Sequence, residues 1–99
     1  MAKYFLSNKA VEDLSKIWDY TYEVWSESQA DKYYEFLIET CKGISKNPTI
    51  GKYYTEIANE ILGFRAGKHI IFYRETKPKE IEILRILHER MDLKNKIDE

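Results

Sequence analysis

Seven side chains in the C-terminal part of this 99-residue chain could act on a phosphate: Arg65, Lys68, Tyr73, Arg74, Arg85, His88 and Arg90. Cleaving RNA without a metal takes a base for the 2′-hydroxyl, cations for the charge that builds around phosphorus, and an acid for the departing 5′-oxygen. Each part has a candidate, but the spacing argues against joint action. On an alternating strand Glu82, Leu84, Ile86 and His88 share one face while Arg85 points to the other. Plainer readings also stand beside the chemical ones. His88 can cap the end of a strand by hydrogen bonding, with acid–base work or target binding as alternatives. Arg90 can brace the C-terminus through a carboxylate such as Asp92, or meet a target. Tyr73 reads first as a half-buried strand aromatic rather than a proton donor. No residue is assigned a catalytic role.

Other chemistries find less support. His69 and His88 have no Cys or His neighbours in the chain, so their spacing is not a metal signature, and there is no P-loop or GxGxxG phosphate motif. Neither a metal nor a cofactor is expected. The lone Cys41 occupies a helical stripe position and reads as a small core residue. No segment has the pattern of a signal peptide or membrane span, so the expected setting is the reducing cytoplasm, away from any membrane. A net charge of −1 does not indicate a strongly basic nucleic-acid binder. The distribution is uneven, however: all four Arg lie beyond residue 60, which makes that end the site for a carboxylate-rich or anionic partner if there is one, with a solvated charged face as the equal alternative. Eight Tyr and two Trp are many for so short a chain, and such residues often serve interfaces.

Positioning these groups takes a strand, two helices and a meander. Residues 3–6 read as a short strand, and Ser7 can cap the helix that follows. Val11, Leu14, Trp18, Tyr22 and Trp25 recur at helical spacing, with Ile17 and Val24 widening the stripe. Ser26 and Gln29 form a capping box that opens a second helix at once. Its stripe is Ala30, Tyr33, Leu37, Cys41 and Ile44, and Asn47-Pro48 ends it. So short a link folds the two helices into an αα-hairpin, in which Trp18, Trp25 and Tyr33 are core or seam residues by default. Residues 48–60 contain Gly51 and read as a loop with a helical turn. Residues 61–65, 69–75 and 80–87 read as strands joined by the turns Ala66-Gly67 and Lys77-Pro78, an antiparallel meander. The expectation is one α+β domain over residues 1–99, an antiparallel sheet of the N-terminal strand and the meander packed on the hairpin. Both faces of the last strand are apolar, Ile81, Ile83 and Leu87 on one and Leu84 and Ile86 on the other. The hairpin can cover one face. The other needs the remaining chain, a subunit or a partner protein.

This order of elements resembles the RelE/ParE toxin family, and particular residues resemble its ParE branch. Ala10, Asp13, Leu14, Ile17, Trp18 and Tyr20 are similar to the family's first helix, and Trp25, Gln29, Ala30 and Tyr33 to the junction into the second. Asn47, Pro48 and Gly51 match the helix stop, Gly67, His69, Ile71, Phe72, Tyr73 and Arg74 the G-x-H-x-I-F-Y-R strand, and His88 to Asp92 the H-x-R-M-D ending. The chain departs from the family where an Arg commonly precedes the Gly turn: that position is Leu62, with Arg65 three residues later.

The resemblance implies a type II toxin neutralised by a ParD-like antitoxin whose segment folds on binding, and which alone would carry the pair to operator DNA. ParE-type toxins poison DNA gyrase and RelE-type relatives cut messenger RNA on the ribosome, a choice the shared fold leaves open. Gyrase inhibition without enzymatic chemistry is the reading taken, with the ribosome-dependent endonuclease as its alternative. Candidates for target binding are Arg65, Lys68, Tyr73, Arg74, His88 and Arg90. Candidates for antitoxin binding are Trp25, Tyr33, Leu84 and Ile86.

Overall fold

Strand β1 (Lys3–Leu6) leads into helix α1 (Asn8–Val24), and α2 (Glu27–Lys46) folds back on it in the computed structural model, which describes residues 2–90. Both caps form as the residue types dictate. The Ser7 hydroxyl accepts from the Ala10 N–H at 3.0 Å, and that of Ser26 accepts from the Gln29 N–H at 3.1 Å. A 3₁₀ turn, Pro48–Ile50, and a two-residue strand β2 (Lys52–Tyr53) stand where the sequence reads as a loop. Then come β3 (Leu62–Ala66), β4 (His69–Lys77) and β5 (Glu80–His88), close to the expected boundaries. The sheet is five-stranded in the order β1-β5-β4-β3-β2.

Three expectations need correcting. First, the sheet is mixed rather than antiparallel, because β1 runs parallel to β5, Tyr4 beside Ile81 and Leu6 beside Ile83. The direction of an isolated edge strand is set by long-range register, which no local pattern carries.

Second, the faces of β5 change partway along. Phe72 pairs with Arg85 but Tyr73 pairs with Ile83, so Leu84 is an extra residue, a bulge. Beyond it the alternation resets. Ile86 joins Ile81 and Ile83 in the core beneath the helices, and Leu87 joins Phe72 and Ile70 on the opposite face with Leu84 against them.

Third, the buried face of α1 is Ala10, Asp13 and Leu14, with Ile17 packed beside it. Val11, Tyr22, Val24 and Trp25 are exposed. The small Ala10 and the charged Asp13 face the sheet, so the larger side chains drew the stripe one residue out of place. The stripe of α2 is as expected: Ala30, Leu37, Cys41 and Ile44 are buried and Tyr33 half-buried.

The second sheet face is covered by the chain itself. Residues 54–61 form a compact turn in which the Tyr54 carbonyl accepts from the Ile57 and Ala58 N–H groups, and Tyr54, Ile57 and Ala58 pack over Ile61, Ile70, Phe72 and Leu87. Tyr54 meets Phe72 edge-on at 5.1 Å. Gly63 makes this approach possible, since a Cβ there would lie 2.5 Å from the Tyr54 ring. Each large aliphatic side chain fully buried in the two clusters contributes roughly 1.5–3 kcal/mol.

Candidate functional site

Four of the seven phosphate-chemistry candidates are committed elsewhere. Arg85 and Asp13 form a bidentate pair, Nε to Oδ2 at 2.8 Å and Nη2 to Oδ1 at 2.9 Å, with both side chains almost wholly buried. Asp13 Oδ2 also accepts the Ile86 N–H at 3.0 Å. β1 has ended by this point, and α1 completes the edge of β5 in its place. The Ser7 N–H donates to the Ile83 carbonyl at 3.0 Å, its hydroxyl to the carbonyl of the bulged Leu84 at 2.7 Å, and Asp13 takes the next strand N–H. One serine thus caps a helix and holds a bulge.

Tyr73, expected half-buried and offered as a target contact, is fully buried and cannot meet a target from the surface. Its hydroxyl donates to the Pro48 carbonyl at 2.7 Å and accepts the Gly51 N–H at 3.0 Å, tying the 3₁₀ turn to the sheet, and burial pushes its pKa up. Arg74 is exposed and pairs with Glu82 at 3.0 Å, five residues along β4 from His69. Arg65 is exposed and pairs with Glu89. Among the antitoxin candidates, Ile86 is 1% exposed beneath the helices because the bulge turned it inward, so it offers no surface. Leu84 is half-buried against the second cluster.

The remaining candidates, Lys68, His88 and Arg90, come together with Trp25 and Tyr33 in a cleft of about 580 Å³ between the hairpin and the end of the β3–β4 and β5 strands. Tyr20, Phe36, Lys32 and His69 also line it. The β3–β4 turn reaches it through Gly67, whose φ of +61° suits the first central position of a two-residue hairpin turn. A Cβ at Gly67 would also lie 2.8 Å from the Tyr33 hydroxyl.

That hydroxyl organises the floor of the cleft. It lies 2.7 Å from His69 Nδ1, 3.3 Å from the Ala66 carbonyl and 3.2 Å from the Lys68 N–H. A hydroxyl donates once and accepts twice. All three contacts are satisfied together when Tyr33 donates to Ala66, accepts from Lys68 and accepts from a protonated His69 Nδ1, leaving the His69 Nε2 lone pair free. His88 has the opposite tautomer in its neutral form, because its Nδ1 accepts the Arg90 N–H at 3.1 Å and the proton falls on Nε2. The rings meet edge to face at 5.4 Å. Burial pushes His69 down to about 4, with the neighbouring His88 acting in the same direction, so His69 is neutral at physiological pH. Burial raises Tyr33. Among the described residues no three His, Cys, Asp or Glu side chains come together as a metal site.

A sequence profile for the ParE toxin of the type II toxin–antitoxin system parDE matches residues 4–93. The chain belongs to the ParE toxin family. Toxin ParE1 of Mycobacterium tuberculosis is 38% identical over 92 residues, covering 93% of this chain and 94% of that toxin. Toxin ParE1 of Caulobacter vibrioides is 33% identical over 92 residues with the same coverage. The fold is similar to a chain in the solved chromosomal ParDE TA system from P. aeruginosa, with a TM-score of 0.74, 23% identity, and coverage of 89% of this chain and 95% of that one. The ParE-like α+β architecture is therefore shown by fold and by family alike.

Sequence reasoning missed two features of this ParE-family chain. The Asp13–Arg85 brace had a signal: an acid inside an apolar helical stripe needs a buried cation. The His69–His88 contact had none: the expected Lys77-Pro78 turn would set residue 69 opposite residue 86, whereas the turn falls at Pro78-Lys79 and the two irregularities in the ladder cancel, which brings residue 69 opposite residue 88.

Proposed function

We propose that this ParE-family toxin poisons DNA gyrase in the cytoplasm and is silenced by a ParD-like antitoxin laid along the aromatic side of the hairpin. The observation that carries the reading is the division of the C-terminal cations. Arg74 and Arg85 are held in ion pairs and Tyr73 is buried, while Lys68, His88 and Arg90 line an accessible cleft. With Arg65, Arg74, Arg85 and Tyr73 each engaged by other groups, too few of the seven remain to supply the base, the acid and the charge stabilisation that cleavage needs, and those that do remain suit recognition of a protein surface better. Trp25 is 70% exposed and Tyr20 67% exposed at the mouth of that cleft, large rigid side chains of the kind that anchor a partner helix. Operator DNA is then reached only through the antitoxin. Among the described residues no helix is long and apolar enough to cross a membrane.

One observation favours a second reading, the ribosome-dependent messenger RNA endonuclease: His69 and His88 are adjacent, with opposite tautomers, beside Lys68 and Arg90. A single pair of assays separates the two. Purified toxin is expected to inhibit gyrase supercoiling and accumulate cleaved DNA while leaving messenger RNA on ribosomes intact. Normal supercoiling together with codon-dependent cutting would replace gyrase with the ribosome.

A further inference from the structure

The cleft joins flat aromatic walls to fixed positive charge. Tyr20, Trp25 and Phe36 stand on the hairpin side, and the cationic residues Lys32, Lys68 and Arg90 line the same space. Among the described residues Glu89 is the one acid lining it, and Glu89 is already paired with Arg65. Its volume of about 580 Å³ lies within the range of small-molecule sites, roughly 300–1,000 Å³. A simple anion would leave the aromatic walls unused, and a neutral aromatic would leave the cations unpaired. A planar heterocycle carrying a phosphate uses both, because any base can stack on an aromatic face while Lys, Arg and an imidazole N–H take the phosphate oxygens.

We propose that this cleft binds a nucleoside phosphate, with the base stacked on Trp25 and the phosphate held by Lys68, Arg90 and the Nε2–H of His88. The unit is either a free nucleotide or one nucleotide of a single strand. Binding is independent of the toxin's target. A chain that spares gyrase yet binds nucleotide leaves the proposal standing, and one that poisons gyrase yet ignores nucleotide removes it.

The test is calorimetric titration of the whole chain with AMP, adenosine, inorganic phosphate and a short single-stranded DNA. AMP is expected to bind at least about tenfold more tightly than adenosine or phosphate, since stacking and charge pairing add. Trp25→Ala and Lys68→Ala, both at exposed positions, are each expected to weaken AMP about tenfold with the circular dichroism spectrum unchanged. Lys52→Ala, on β2 and outside the cleft, is the control that leaves AMP binding as it was. A single strand binding more tightly than AMP supports the strand as source, and equal affinity supports the free nucleotide. AMP binding no tighter than phosphate, or Lys52→Ala weakening it as much as Lys68→Ala, overturns the proposal.

Discussion

Arg85 and Arg90 lie five residues apart around the end of β5, in regions that use charge in opposite ways. In the middle of the strand, Arg85 is almost wholly buried against Asp13, whose carboxylate also satisfies a backbone N–H, and the region is closed by Ser7 and the bulge at Leu84. At the strand's end, Arg90 is exposed and gives its N–H to His88 beside a cleft with aromatic walls. Similar side chains therefore hold the fold together in one place and present chemistry in the other. What decides between the roles is whether the sheet edge beside the residue has been completed.

The sharpest way to break that contrast is to remove Asp13. Asp13→Ala leaves Arg85 buried without its partner and Ile86 without its acceptor, and is expected to destabilise the chain by about 3–5 kcal/mol, read by urea denaturation. A loss below ~1 kcal/mol would mean that the pair is ornamental and that Arg85 is available for other work. A smaller effect is expected from Tyr73→Phe. Losing the hydroxyl orphans the Pro48 carbonyl and the Gly51 N–H, at a cost of about 1–3 kcal/mol. Unchanged stability would show that the 3₁₀ turn holds without that tether.

The cleft end has its own signature in pH. His69 titrates at about 4 when folded and near the ordinary histidine value of 6.5 when unfolded, so the unfolded state binds the extra proton between those values. The contribution of His69 is therefore constant above about 6.5 and is lost as pH falls from there toward about 4. Stability measured against pH for the parent and for His69→Gln is expected to differ in slope within that window and to run parallel above it. Parallel curves throughout would place His69 in water rather than against Tyr33 and His88.

The strands, the hairpin and its caps were legible because each rests on local chemistry: Ser7 and Ser26 at helix starts, Asn47-Pro48 at a stop, Gly67 in a two-residue turn. What was not legible depended on register. The parallel pairing of β1, the extra residue at Leu84 and the inward turn of Ile86 follow from which backbone groups α1 leaves for β5 to pair with, and no single segment encodes that. The α1 stripe failed for a different reason. Hydrophobic size was read as burial, whereas the core-facing positions are a small residue, Ala10, and a charged one, Asp13, whose cost is offset by a partner more than seventy positions away. Among the candidate site residues, Lys68, His88, Arg90 and Trp25 were chosen by type and by resemblance, and the fold brings them to one cleft. Tyr73 and Ile86 were misplaced because their exposure depended on the bulge and the 3₁₀ turn.

The most direct measurement is supercoiling inhibition by Arg90→Ala and Lys68→Ala, each checked by thermal melting. Both side chains are exposed, so stability is expected to stay within about ±0.5 kcal/mol. If Arg90 pairs with a buried charge on the target, its loss costs about 2–5 kcal/mol of affinity, more than a thousandfold at the upper end. The expected result is a folded chain that no longer inhibits gyrase. Full inhibition by both folded variants would contradict the assignment of the cleft as the functional end of the molecule.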